Sequence, residues 1–136
     1  MADAETIHLD QFLPHAPATV WRAITDPERV AKWWATGDVR PEVGHRFTLD
    51  MGGFGEVPCT VTAVEPEALL AYTLAEDQTE WVITWRLEPE GSGTRLFLEH
   101  AGFDLDNPRD QRAFRNMSRG WESTVLPRLA DLLATV

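Results

Sequence analysis

A single stripe of apolar residues near the end of the chain constrains its fold more than any other feature. Between Arg109 and Leu133 the apolar side chains recur at Phe114, Met117, Trp121, Val125, Leu129 and Leu132. Steps of three or four residues place them on one face of an α-helix. Such a face has to lie on something. The middle of the chain supplies short alternating strands, so the expected partner is a sheet. One long terminal helix laid across a small sheet suggests a container.

The strands can be followed one by one. Thr6 to Leu13 alternates, with Ile7, Leu9, Gln11 and Leu13 on one side. Pro14 ends this strand, and Pro17 suits the first turn of a helix, where its missing N–H would be unpaired anyway. That helix carries Val20, Trp21 and Ile24. Asp26-Pro27 is a restart, with Asp as N-cap and Pro as first helical residue. The second helix carries Val30, Trp33 and Trp34 and is over by Gly37. Nothing basic follows this helix pair, so it is read as packing and not as a DNA-binding unit.

Further strands run through His45, Phe47, Leu49 and Met51, then Val57 to Val64, then Leu70, Tyr72 and Leu74. Gly52-Gly53-Phe54-Gly55 is a turn signal; it lacks the Lys-Ser/Thr and the following helix of a phosphate loop. Glu76, Asp77 and Glu80 read as a solvated tip. Trp81, Ile83, Trp85 and Leu87 share one strand face, and across the Pro89–Gly93 turn Leu96, Leu98 and His100 share another. Arg95 and Glu99 fall on the outward face, where they can pair with each other or with Arg86. Asp106-Asn107-Pro108 caps the final helix. The order is β-α-α-β-β-β-β-β-α, one domain over residues 1–136. Short turns between consecutive strands imply an antiparallel meander, which places the chain in the α+β class.

Charge and composition exclude several functions. The net charge is -10, from 12 Lys+Arg against 22 Asp+Glu. This disfavours nucleic acid and anionic membrane as partners. Cys59 is the only cysteine, and the four histidines form no H-x-x-x-H pair, so no metal or other cofactor is expected. No signal peptide or bilayer-length apolar run is evident, and a cytoplasmic protein is the expectation. Six tryptophans stand against one tyrosine. Each buried indole needs a partner for its N–H.

The sequence resembles the START-like superfamily, with its helix-grip or birch-pollen-allergen-like fold. Within it the chain resembles the family named after the activator of the heat-shock ATPase chaperone. The matching stretches are Pro17-Ala18-Thr19-Val20-Trp21-Arg22-Ala23-Ile24-Thr25-Asp26-Pro27-Glu28, Trp33-Trp34, Ile83-Thr84-Trp85-Arg86-Leu87-Glu88, Gly93 to Phe103, and Gly120-Trp121. Together they cover nearly the whole chain. The central region departs most: Val57-Pro58-Cys59-Thr60 and His45 stand where relatives are richer in glycine, so pocket shape there does not carry over. The resemblance implies a curved antiparallel sheet of about six strands, two short helices after the first strand, and a long C-terminal helix packed across the sheet.

It also implies a cavity between sheet and helix. The candidate walls are Phe47, Leu49, Met51, Trp81, Ile83, Trp85, Leu98, His100, Phe114, Met117 and Trp121. The competing reading is that these residues fill a dry core. A small apolar or aromatic ligand is the first expectation for partner, since such sites are mostly apolar with a few polar groups. A protein-interaction module contacting a chaperone, with an acidic surface, is one alternative. A cyclase- or hydrolase-like enzyme using His100 with a carboxylate or Tyr72 is another, although no catalytic set is evident. A homodimer is kept as an expectation because two-fold assemblies are the commonest.

Three residues pose specific questions. His100 falls among leucines, where a structural hydrogen bond is the simpler role than general base. Cys59 reads as a small buried filler. Gly120, inside a helix, needs a reason, because glycine there costs roughly 1 kcal/mol against alanine. Close approach to the two short helices is the simpler reason, and space for a ligand is the other. Pro127 should kink the helix or begin a new segment.

Overall fold

A computed structural model of the chain describes residues 4–52 and 55–135; the Gly53-Phe54 part of the glycine turn lies outside them. The elements are β1 (Ala4–Leu13), α1 (Pro17–Thr25), α2 (Pro27–Trp33), β2 (Thr36–Gly37), β3 (Arg46–Asp50), β4 (Glu56–Glu65), β5 (Leu69–Thr73), β6 (Val82–Glu90), β7 (Gly93–Asp104), α3 (Pro108–Gly120) and α4 (Leu126–Leu133). A π-helical turn, Trp121–Val125, joins α3 to α4. Among the described residues, no helix is long and apolar enough to cross a membrane.

The strands form one seven-stranded sheet in the order β1-β7-β6-β5-β4-β3-β2, every pairing antiparallel. The seventh strand beyond the expected six is β2. It pairs Thr36 with Asp50 and Gly37 with Leu49, and two residues are too few for an alternating pattern to reveal. The α1–α2 pair carries the chain from the β1 edge to the β2 edge. The meander then returns strand by strand to β1. This is the α+β helix-grip architecture that the sequence implies.

The local signals act as expected. The Asp26 carboxylate accepts from the Glu28 N–H at 3.0 Å, and the Asn107 side chain accepts from the Arg109 N–H at 2.9 Å. On β6 and β7, Trp85 lies opposite Leu98 and Ile83 opposite His100, all four buried. On the other face Arg86 pairs with Glu99 at 3.5 Å. Arg95 does not pair with Glu99; it bridges Asp10 at 2.7 Å and Glu90 at 3.0 Å.

The final helix differs from its expected stripe in one respect. Pro127 has no N–H to continue the regular ladder, and Leu126 N–H reaches back five residues to the Trp121 carbonyl. The extra residue in that turn shifts the pattern. The fully buried positions after Trp121 are Leu126, Leu129 and Leu133, while Val125 and Leu132 flank them half-buried. Pro127 thus sits at the start of a new segment, as its chemistry requires.

Gly102 is a position only glycine can hold. Its φ is +96°, and a Cβ there would collide with the Glu80 carbonyl. Gly102→Ala is expected to destabilise the fold by about 2 kcal/mol, from left-handed backbone strain alone. Urea denaturation measures this, and an unchanged midpoint would refute the assignment.

Candidate functional site

The indole N–H groups organise the interior. Trp33 Nε1 donates to the Ala23 carbonyl at 2.9 Å, tying α2 to α1. Trp85 Nε1 donates to Tyr72 Oη at 2.9 Å, tying β6 to β5. Trp121 Nε1 donates to His100 Nδ1 at 3.1 Å, tying the π turn to β7. The rings also pack on one another: Trp85 meets Trp33 edge-on at 5.5 Å and Trp121 at 5.6 Å. Trp34, half-buried, lies 5.0 Å from Trp121 and stacks on Tyr72 at 6.3 Å.

His100 has no solvent exposure, and burial drives its pKa from 6.5 down to about 3. It is a neutral imidazole that accepts from Trp121. This is the structural role, with a side-chain partner and not a backbone carbonyl. Tyr72 is held above the ordinary phenol range by burial and bonds Trp85 instead of His100. Cys59 is buried, and desolvation pushes its thiol up to about 12, which suppresses the reactive thiolate. His45 Nε2–H donates to the Asp38 carbonyl at 2.6 Å, and its ring stacks on Phe47 at 5.7 Å. Among the described residues, no group of three or more His, Cys, Asp or Glu side chains could hold a metal ion.

Two pockets lie between α3 and the sheet. One, of about 500 Å³, is lined by Trp34, Ala35, Met51, Leu74, Met117, Gly120, Trp121 and Val125, among others. The second, of about 470 Å³, is lined by Met51, Val57, Leu74, Ala75, Trp81, Ala113 and Met117, with Gln78, Thr79, Arg109, Arg112 and Asn116. They share Met51, Leu74, Asn116 and Met117. The space exists because the two halves of the final helix pack differently. In α4 three residues are fully buried, whereas Ala113, Phe114 and Met117 of α3 are only half-buried. A larger depression of about 760 Å³ runs along Arg46, Thr48, Asp50, Glu56 and Pro58 with Glu76 and Asp77. It is open and polar, unlike the pockets beneath the helix.

The candidate wall residues divide accordingly. Met51, Trp81, Met117 and Trp121 line the pockets under α3. Leu49, Ile83, Trp85, Leu98 and His100 lie one layer deeper, each at most 1% exposed. Phe114 packs edge-on against Phe103 at 5.2 Å. Phe47 borders the polar depression and meets Tyr72 edge-on at 5.5 Å. Sequence reasoning missed Leu74, Ala113, Asn116 and Trp34 as lining residues. Trp34 was legible as the partner of Trp33 in a Trp-Trp pair, since consecutive helical residues cannot both face the core centre.

Gly120 answers its question against the simpler expectation. A Cβ there would meet nothing within 4 Å. No close approach of α1 or α2 demands the glycine; it opens onto the pocket it lines.

A family model described as Activator of Hsp90 ATPase homolog 1-like protein matches residues 14–134. The chain belongs to that family. Among solved structures, MLL2253 from Mesorhizobium loti is 32% identical, with a TM-score of 0.86 over 97% of this chain and 98% of its own. BH1534 from Bacillus halodurans is 28% identical, with a TM-score of 0.84 over 98% of this chain and 99% of its own. The Aha1 dimer from Colwellia psychrerythraea is 19% identical, with a TM-score of 0.78 over 95% of this chain and 96% of its own, and shares the fold. No curated protein matches the chain. The members of the Activator of Hsp90 ATPase homolog 1-like family named here share a fold that extends over nearly all of this chain.

The His100 environment makes a pH prediction. Its pKa is about 3 when folded against 6.5 as the reference value. Between those values the unfolded chain holds the extra proton, so stability is full above about pH 6.5 and falls as pH drops towards 3. Each pH unit in that window removes about 1.4 kcal/mol. His100→Gln keeps an acceptor for Trp121 and cannot titrate. Denaturant melts at about pH 7 and 4.5 are expected to show wild type losing about 2 kcal/mol more than the variant. Parallel losses would refute this role.

Proposed function

We propose that this protein binds a small apolar or aromatic molecule in the two adjoining pockets beneath α3. The observation that carries the reading is Gly120. A helix-interior glycine costs roughly 1 kcal/mol relative to alanine, yet here a methyl group would touch nothing. The missing side chain keeps open a pocket that neighbouring residues do not fill. The volumes of about 500 and 470 Å³ fall within the range typical of small-ligand sites. The lining fits this ligand class, being mostly apolar with a few polar groups. Met51, Met117, Trp81 and Trp121 are its wall residues; Leu49, Ile83, Trp85, Leu98 and His100 support them from behind.

This function needs no reaction. His100 and Tyr72, on which an enzyme would lean, are engaged by different tryptophans. The family description supplies a second reading, a chaperone-contacting module, for which the net charge of -10 would provide an acidic surface. A cytoplasmic setting suits the lone buried Cys59. A homodimer is the working assembly, the state in which the Colwellia relative was solved.

The test uses Gly120→Ala and Gly120→Leu. Without ligand, Gly120→Ala is expected to gain up to about 1 kcal/mol in stability from helix propensity alone. A library of apolar and aromatic compounds, screened by thermal shift, is expected to yield binders of wild type that lose affinity at least about tenfold in Gly120→Leu, which fills the pocket. A library without binders, or binders that hold Gly120→Leu as tightly as wild type, would reject the reading.

A further inference from the structure

Among the described residues, two buried side-chain nitrogens have no hydrogen-bond partner: Trp81 Nε1 and His100 Nε2. Their isolation contrasts with the rest of the interior, where Trp33, Trp85 and Trp121 each donate to a named acceptor. Trp81 is 8% exposed and His100 is fully buried. A buried donor without an acceptor has lost its hydration and gained nothing in exchange, so such groups call for an explanation.

The Trp121 bond settles what His100 Nε2 is. An indole N–H can only donate, so Nδ1 is the acceptor and carries no hydrogen. The neutral ring therefore has its hydrogen on Nε2. Both orphans are donors, and two donors cannot satisfy each other. Their rings meet edge-to-face with centroids 5.4 Å apart. Trp81 is also a wall of the 470 Å³ pocket, with apolar Met51, Val57, Leu74, Ala113 and Met117 around it. In a chain with 22 acidic residues, that pocket is lined by Arg109 and Arg112 and by no Asp or Glu.

We infer that the pocket takes an apolar molecule bearing a carbonyl-type oxygen, which enters beside the Trp81 ring and accepts the N–H groups of Trp81 and His100. The inference rests on the proposed ligand-binding function and narrows it to one chemical class. A carbonyl oxygen has two lone pairs and no hydrogen, so it can serve both donors. An alcohol would bring its own hydrogen into a place that offers no acceptor. A carboxylate would bring a full charge into the same surroundings that deny His100 its proton. A hydrocarbon would leave both donors as they are.

Matched probes test this. 2-Acetylnaphthalene and 2-ethylnaphthalene have nearly the same size and differ in one oxygen. Calorimetric titration of the full chain is expected to give about tenfold tighter binding of the ketone, the value of one good hydrogen bond. In Trp81→Phe that advantage is expected to fall below about threefold while the hydrocarbon binds as before. A readout independent of any variant is the Trp81 indole ¹H–¹⁵N resonance of wild type. It is expected to move downfield with the ketone and not with the hydrocarbon. If both probes bind equally, or if the ketone's advantage survives in Trp81→Phe with the resonance unmoved, the inference is overturned and the pocket stands. If 2-naphthoate binds more tightly than the ketone and leaves the Trp81 resonance unmoved, its charge sits at the arginines and the inference is again overturned. If no probe binds, the pocket reading falls first and this one with it.

Discussion

The Trp85 N–H lies 2.9 Å from Tyr72 Oη, deep in the centre of the sheet where no water competes. Around that bond the molecule closes. Trp85 has no exposed surface and meets Trp33 of α2, Trp34 beyond it and Trp121 of the π turn, all at steep ring angles. Aromatic pairs in edge contact are worth about 0.5–1.5 kcal/mol each beyond the area they bury. The greater effect is directional. An indole fits its pocket in one orientation, and its N–H must end on an acceptor. By fixing Trp85, the Tyr72 bond fixes the distance at which α2 and the final helix can approach the sheet.

Much of this was legible in the chain. The alternation of Trp81, Ile83, Trp85 and Leu87 set the inner face of β6 because strand periodicity leaves no other choice. Asp26-Pro27 and Asn107-Pro108 marked helix starts because capping chemistry is local. The features that escaped depend on geometry between distant residues. Strand β2 is held by its pairing with Asp50 and Leu49, not by its own two residues. The displaced stripe in the final helix comes from a five-residue step that only the Leu126–Trp121 bond reveals, although Pro127 announced a disturbance. Gly120 could be read as close packing or as open space, and nothing in one dimension distinguishes them. Candidate walls divided in the same way: period two puts Ile83 and Trp81 on one face but does not say which lies under the helix.

Charge is distributed against the average. The chain carries a net charge of -10, yet α3 contains Arg109, Arg112, Arg115 and Arg119 with Asp110 as its only acid. Asp110 is buried and accepts from the Asp104 N–H at 2.8 Å. Its second oxygen takes Arg109 at 3.2 Å. The acidic surplus therefore lies elsewhere, including the Glu76, Asp77 and Glu80 tip, and the pocket beneath α3 is bordered by cations. A small polar ligand entering there meets positive potential even though the protein as a whole repels anions.

The persistence of that pocket needs its own explanation, because apolar surfaces separated by empty space gain by closing on each other. Helix α3 is prevented from sinking by bonds at both ends. At its start, Asp110 holds the Asp104 N–H, and Arg109 reaches the Gln78 carbonyl at 3.2 Å. At its far end, Trp121 is locked to His100 at 3.1 Å and packed among Trp34 and Trp85. The π turn then separates this segment from α4, so Leu126, Leu129 and Leu133 can pack fully without drawing α3 down with them. Collapse would have to break a buried hydrogen bond at one end or the other, and each leaves an unsatisfied group costing roughly 1–3 kcal/mol. The helix acts as a beam carried on two polar supports, and the open space at Gly120 lies in the span between them.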